Sequence, residues 1–331
     1  STRPHVDTNM QLQSILEPVT DQLDLVDEQL RYFADKSDLP LLNELLKHVF
    51  DSTGKRTRPA LTLLAAGFHP HKNSNVLTMA TAVELLHVAT LIHDDTVDEA
   101  ETRRGRITIS NAWGQHTAVL VGDYVFASSA TKVCDTGNIN VIRRFSETIA
   151  ELSKGQLQES AYSYDVKREI GEYIQRIYYK TASLFSTSGE SGAILSGAPD
   201  DVVSHVKSYS LNIGLAFQII DDILDFEGDA LIIGKPVGSD LKNGIVTLPT
   251  LYAMENTKLQ DKVGHFFETP DENSIHEEIV DLIRSSNGVE RSIDYASNLA
   301  TQARESLTSL PINRHRNSLE ELAEFIISRG K

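Results

Sequence analysis

Apolar residues recur every third or fourth position along most of this chain and almost nowhere in strict alternation. Over residues 11–34 the stripe is Leu12, Ile15, Val19, Leu23, Val26, Leu30 and Phe33, which predicts an amphipathic helix with Pro18 as a kink or a late start. Asp38-Leu-Pro opens a second helix through Phe50, with Leu41, Leu42, Leu45, Leu46 and Val49 facing inward. The same period predicts helices over 60–68, 76–100, 111–131, 140–162 and 168–196, the last interrupted near Ser188-Gly-Glu-Ser-Gly. Further helices follow over 200–226, 248–256, 273–286, 289–310 and 318–329. Loops fall at 51–59, 69–75, 101–107 and 227–247, and Arg106-Ile-Thr-Ile-Ser is a strand-like stretch. There is no short-period repeat and no low-complexity linker. The pattern predicts one all-α domain over 1–331, a large bundle of many helices.

Two of these helices carry charge where the pattern asks for apolar residues. Asp94, Asp95 and Asp98 follow Leu91-Ile-His, and Asp221, Asp222 and Asp225 lie within Gln218-Ile-Ile-Asp-Asp-Ile-Leu-Asp. Residues four apart share a helix face, and like charges there destabilise the helix by a few tenths of a kcal/mol (~0.2–0.5) per pair. A single acidic cluster is most often a solvated face. Two clusters of identical Asp-Asp-x-x-Asp spacing, both set in apolar sequence, point to cations instead. Hard carboxylate oxygens in an open arrangement suit Mg²⁺ bridged by a diphosphate, and two such helices facing each other would line a central cavity.

Composition narrows the choice of partner. The 331 residues carry a net charge of −16, which argues against nucleic acid and against an anionic membrane surface. No uninterrupted apolar run approaches the ~18 residues of a membrane span. A single cysteine, Cys134, excludes a disulfide framework and fits a reducing compartment, so a cytoplasmic protein is expected. The polar start, Ser1 to Met10, has no signal-peptide core; a processed or trimmed start would leave an organelle open.

Against that negative balance, local cations are informative. Gly54-Lys-Arg-Thr-Arg-Pro concentrates Lys55, Arg56 and Arg58 between two helices, and Arg103 and Arg104 follow the first acidic motif. A solubilising loop is the bland reading; a phosphate or diphosphate held between cations and metal explains both clusters. Lys180 in Tyr-Tyr-Lys-Thr-Ala and Lys235 in Gly-Lys-Pro are further candidate contacts. His87 stands two turns before Asp94, and Gln218 three residues before Asp221, each on its motif's face.

These motifs in this order resemble the trans-isoprenyl diphosphate (polyprenyl) synthases. The resemblance spans Leu45 to Pro249 and rests on Gly54-Lys-Arg-Thr-Arg-Pro, Glu84-Leu-Leu-His, His93-Asp-Asp-Thr-Val-Asp with Arg103-Arg-Gly, Gly122-Asp-Tyr, Lys180-Thr-Ala, Gln218 to Asp225, and Gly234-Lys-Pro-Val-Gly-Ser-Asp-Leu-Lys-Asn-Gly. It implies an isoprenoid-synthase helical bundle and a Mg²⁺-dependent, head-to-tail prenyl transfer from an allylic diphosphate (geranyl, farnesyl or geranylgeranyl) to isopentenyl diphosphate. Asp94, Asp98 and Asp221, supported by Asp95, Asp222 and Asp225, would hold the Mg²⁺, three ions per site. Arg103, Lys180 and Lys235 would contact the allylic diphosphate. Lys55, Arg58, His87 and Arg104 would bind isopentenyl diphosphate, and Thr181 and Gln218 would lie near the allylic carbon. A homodimer is implied, with the helix over 111–131 as a candidate interface.

In such enzymes a bulky side chain one to two turns before the first Asp floors the product tunnel. Here those positions are Ala89 and Thr90, neither aromatic, and the next candidates are Leu85, Leu86 and Phe126. A product beyond C20 is therefore expected, with a C20 geranylgeranyl diphosphate synthase as the alternative. A class I terpene cyclase lacks a second diphosphate site, against the Lys55–Arg58 cluster. A non-catalytic regulatory subunit would not keep both acidic motifs intact.

Overall fold

The computed structural model describes residues 8–52, 54–70, 74–228 and 236–330. In chain order the helices are α1 (Thr8–Ile15), α2 (Thr20–Asp35), α3 (Pro40–Phe50), α4 (Thr57–Ala65), α5 (Ser74–Val97), α6 (Ile109–Trp113), α7 (Gln115–Cys134), α8 (Ile139–Tyr162), α9 (Ile170–Ile177), α10 (Ser183–Leu195) and α11 (Asp200–Glu227). They continue with α12 (Ser239–Lys242), α13 (Leu248–Ala253), α14 (Thr257–Glu268), α15 (Asn273–Ser285), α16 (Gly288–Leu307) and α17 (Arg314–Ser328). The chain is all-α as expected. Among the described residues the only strands are β1 (Thr102–Arg103) and β2 (Arg106–Ile107), a small antiparallel hairpin where the strand-like stretch was read.

The chain divides into two compact units. The first comprises residues 1–146, 187–207 and 309–321, and the second 147–186, 208–308 and 322–331.

The first unit is built around α5. This helix is apolar on every side, the signature of a helix surrounded by protein. Met79, Ala80, Ala82, Val83, Leu86 and Ala89 are all fully buried. By length and composition α5 would also pass as a membrane span, but 67% of its most apolar stretch is packed inside the protein. Helices α2, α4 and α7 pack on it. The α7 helix runs antiparallel, since His93 meets Val119 at one end and Asn75 donates to the Thr136 carbonyl at the other.

In the second unit, α11 packs against the segment between α9 and α10. That segment, Tyr178–Ala182, is a π turn. A Cβ at Gly214 of α11 would stand 2.9 Å from the Ala182 Cα, so glycine permits the close approach. Tyr209, Phe185, Phe226 and Phe266 fill the core around it.

Three local expectations are corrected. The break in the 168–196 helix falls at the π turn rather than at Ser188–Gly192, through which α10 is continuous. Gly192 is no helix breaker: a Cβ there would lie 2.1 Å from the Thr62 carbonyl oxygen, so it marks close packing. The helix read over 111–131 is two, α6 and α7, hinged at Gly114 with φ +92°. Finally, α14 was not anticipated, although Leu259, Val263, Phe266 and Phe267 form its buried stripe.

Candidate active site

The first unit gathers acids and cations on one end of α5. Asp94 and Asp95 lie in its last turn and Asp98 directly follows it, its N donating to the Asp94 carbonyl at 2.8 Å. The helix dipole is negative there, which makes the carboxylates costly without a counter-cation. Asp95 is buried and has one: Arg103 Nε and Nη2 grip its carboxylate at 2.7–2.9 Å. Burial is the largest single influence on Arg103 and works against its charge, but the hydrogen bond to Asp95 together with the charges of Asp95, Asp94 and Asp98 outweighs it and holds the guanidinium pKa above its ordinary value. Asp94 is half-buried and Asp98 exposed.

The β1–β2 hairpin delivers that grip. Its connection, Arg104 and Gly105, takes positive φ at both positions (+52° and +75°), the form that suits a tight turn. Arg104 hangs over Gly54, where a Cβ would lie 2.9 Å from its Nη1. Burial lowers the Arg104 pKa, and with Arg103 and Arg56 beside it this exceeds the pull of Glu84. Arg58 Nη1 lies 3.3 Å from His87 Nε2. Burial, then Arg58, Arg104, Arg103 and Arg56, push the His87 pKa well below 6.5, so this imidazole is neutral at pH 7. Lys55 is exposed nearby in sequence.

Arg56 belongs to the same loop but has another job. It donates to Asp27 and to the buried Glu84, each at 2.8 Å, which ties the loop to α2 and α5. Arg58, Arg104 and His87 thus stand together on a base tied down by Arg56, with Lys55 next to them in sequence. A cleft lined by Arg56, Glu84, Asp95, Arg103 and Arg104 has apolar walls at Val88 and Ile92.

The second unit holds the other triplet at the end of α11. Asp221 is its most open member, with 39% of its side chain exposed and Arg329 Nη2 3.2 Å from Oδ1. Arg329 also stacks over Phe217 at 4.3 Å. Asp222 and Asp225 are buried and occupied by protein donors. Asp225 accepts from Ser239 Oγ at 2.9 Å and Asp240 N at 3.2 Å, fixing the start of α12. Asp222 accepts from the Tyr173 hydroxyl and from Gln218 Nε2 at 2.9 Å. Burial raises the Asp222 pKa to about 6 against these hydrogen bonds. Gln218 Oε1 accepts from Thr181 Oγ1 at 2.7 Å, and Lys180 pairs with Glu159 at 2.9 Å. Lys180 fits against α8 because Gly155 is there; a Cβ would lie 2.6 Å from its Cγ. Lys235 and Gly234 lie outside the described residues.

The donor set suits a hard divalent cation. Asp94 and Asp98 offer carboxylate oxygens at a helix end where negative charge is poorly tolerated, and Asp221 offers a partly exposed carboxylate in the second unit. Among the described residues no three His, Cys, Asp or Glu side chains are arranged to hold a metal by themselves. Such acids match a cation whose remaining positions are taken by water or a phosphorylated substrate.

Comparison with known proteins decides the family. The polyprenyl synthetase family model matches residues 39–283. The chain belongs to the polyprenyl synthetase family. Component 2 of the heptaprenyl diphosphate synthase of Geobacillus stearothermophilus is 35% identical over 320 residues, covering 97% of this chain and 99% of that protein. The crystal structure of heptaprenyl diphosphate synthase from Staphylococcus aureus superposes with a TM-score of 0.91 at 33% identity, covering 95% of this chain and 99% of that one. A Caulobacter crescentus polyprenyl synthase, solved with calcium and isoprenyl diphosphate, superposes with a TM-score of 0.91 at 30% identity over 97% and 98% of the two chains. This polyprenyl synthetase therefore has the fold of those enzymes and is a trans-prenyltransferase.

Sequence motifs pass over several residues of this polyprenyl synthetase that the structure brings to the site. Tyr173, Glu159 and Arg329 reach Asp222, Lys180 and Asp221. None lies within a motif. Glu84 was within one, and its signal was an acid in an otherwise apolar helix.

Proposed function

We propose that this chain condenses isopentenyl diphosphate with an allylic diphosphate, head to tail and in the trans sense, to make a polyprenyl diphosphate longer than C20. The carrying observation is the Arg58 guanidinium 3.3 Å from His87 Nε2, with Arg103 and Arg104 on the hairpin that follows the acidic end of α5. In this reading it is a second anion site beside the first, as a two-diphosphate reaction requires.

In this reading residues 1–331 are one catalytic domain. Mg²⁺, three ions per site, would be held by Asp94, Asp98 and Asp221 and would supply charge stabilisation to the leaving diphosphate. Arg103, Lys180 and Lys235 bind that diphosphate, while Lys55, Arg58, His87 and Arg104 bind isopentenyl diphosphate. Asp95, Asp222 and Asp225 brace the site. The allylic C–O bond ionises, giving diphosphate and an allylic cation. The isopentenyl double bond attacks that cation, forming a C–C bond and a tertiary cation. A proton then leaves to the departing diphosphate, restoring a double bond. Thr181 and Gln218 present oxygen dipoles to the cation, and apolar walls keep water from quenching it.

Product length follows from α5. Ala89 and Thr90, one turn below Asp94, carry no bulky ring to floor a product tunnel, and the Staphylococcus relative is named for a heptaprenyl product. The chain acts in the cytoplasm as a homodimer through α7, whose Val119 and Leu120 are exposed. The exposed single Cys134 suits a reducing compartment. The test supplies labelled isopentenyl diphosphate and Mg²⁺ with geranyl, farnesyl or geranylgeranyl diphosphate and measures product length. Farnesyl or geranyl diphosphate as sole product would sink the long-chain reading.

A further inference from the structure

Tyr173 lies on α9, outside every sequence motif, and only 3% of it is exposed. The guanidinium of Arg176 stacks over its ring at 5.4 Å and donates to the Val246 carbonyl at 3.2 Å, so the ring is held from behind. Its hydroxyl begins a chain of hydrogen bonds. Tyr173 donates to Asp222 Oδ2, Gln218 Nε2 donates to Asp222 Oδ1 at 2.9 Å, and Thr181 Oγ1 donates to Gln218 Oε1 at 2.7 Å.

Each direction in that chain is forced. An ionised carboxylate only accepts, so Gln218 must turn its NH₂ to Asp222 and its carbonyl to Thr181. The amide carbonyl also only accepts, so the Thr181 hydroxyl must aim its single proton at Gln218. What Thr181 presents elsewhere is lone pairs. The π turn and the close contact at Gly214 hold Thr181 against α11, so the geometry is built rather than incidental.

We infer that Tyr173 is a positioning residue: through Asp222 and Gln218 it fixes the polarity of the Thr181 hydroxyl, so that oxygen lone pairs and no proton face the developing allylic cation. The inference rests on the prenyl-transfer reading above. Without the tyrosine donor, Asp222 is free to rotate and Gln218 to turn over. A reversed Gln218 would donate to Thr181 and swing the hydroxyl proton toward the cation, where it repels.

The test uses the full chain with labelled isopentenyl diphosphate and farnesyl diphosphate. It compares wild type, Tyr173→Phe, Thr181→Val, the double variant and Thr181→Ser. Tyr173→Phe should lower kcat about tenfold while KM for either diphosphate stays within about twofold. On the Thr181→Val background the same change should cost less than about twofold, while Thr181→Ser should keep the full sensitivity. Wild-type turnover by Tyr173→Phe, or an equal loss on the Thr181→Val background, overturns the inference alone. An inactive wild type overturns the proposed function and the inference with it. If Tyr173→Phe does not fold, Gln218→Met replaces it: its loss should be non-additive with Thr181→Val, and additive losses overturn the inference.

Discussion

The imidazole of His93 occupies the space that a side chain at position 122 would fill: a Cβ on Gly122 would lie 2.2 Å from the ring Cδ2 and Nε2. The same nitrogen lies 3.2 Å from the Val119 carbonyl and 3.3 Å from Asp123 Oδ1, and the ring packs 5.0 Å from Phe126. The Gly122-Asp-Tyr motif is thereby explained as the notch that keys α5 to α7 one residue before Asp94. Gly122→Ala should destabilise the protein by about 1–3 kcal/mol through overpacking. It should also raise the Mg²⁺ concentration needed for half-maximal activity, because Asp94 moves with His93. In a thermal-unfolding cycle, His93→Ala should recover most of that loss. An unchanged melting temperature for Gly122→Ala alone would refute the notch.

Asp222 should set the slope of stability against pH in the ligand-free protein. Burial is the main reason that its carboxyl is pushed up to about 6 in the folded chain, well above the ordinary aspartate value near 3.8. The folded state therefore holds the proton more tightly, so this group's contribution falls as pH rises through roughly 4 to 6. About two pKa units of difference correspond to a cost on the order of 3 kcal/mol at neutral pH. Asp222→Asn should consequently melt higher than wild type at pH 7.5 and turn over more slowly. The stability advantage should shrink as pH is lowered toward 4, and a gap that is constant with pH would count against it.

His87 makes the opposite prediction. Its pKa is lowered in the folded chain, so it contributes full stability above the ordinary histidine value near 6.5 and destabilises as pH falls below it. A diphosphate arriving beside it reverses the balance and favours the protonated ring. Calorimetric titration of Mg²⁺–diphosphate at pH 7 in two buffers of different ionisation heat should reveal proton uptake, and His87→Asn should abolish it. Binding with no buffer dependence in wild type would exclude this coupling.

What could be read from the sequence was what leaves a local mark. Helices show through their period, and the acidic triplets show because charge interrupts an apolar run. The cation loop stands out against a net charge of −16. Residues that act through distant partners left no such mark. Tyr173 meets Asp222 from 49 residues away, and Arg329 meets Asp221 across more than a hundred, so neither pairing has a spacing to detect. Arg56 illustrates a subtler limit. Its loop was legible as an anion site, but that Arg56 is consumed by Asp27 and Glu84 while Arg58 faces His87 depends on which way each side chain turns. Gly192 misled for a related reason: glycine signals either a break or a close contact, and only the Thr62 carbonyl decides.

The length of the product is the remaining consequence of α5. Ala89 is fully buried and Thr90 half-buried, with the threonine hydroxyl donating to the His87 carbonyl at 2.6 Å. A phenylalanine at either position adds roughly four to six heavy atoms one turn below Asp94, where a growing chain would have to pass. Ala89→Phe and Thr90→Phe should each truncate the product to C20 or shorter, with the rate of the first condensation within about tenfold of wild type. Because Ala89 is tightly enclosed, its variant should also lose stability, about 1–3 kcal/mol by overpacking. Thr90, being less enclosed, should shorten the product at little cost in melting temperature. Chromatography of the dephosphorylated products reads the outcome directly. If both variants keep the wild-type length distribution, the gauge lies elsewhere, and Phe126→Ala is then the variant that should lengthen it.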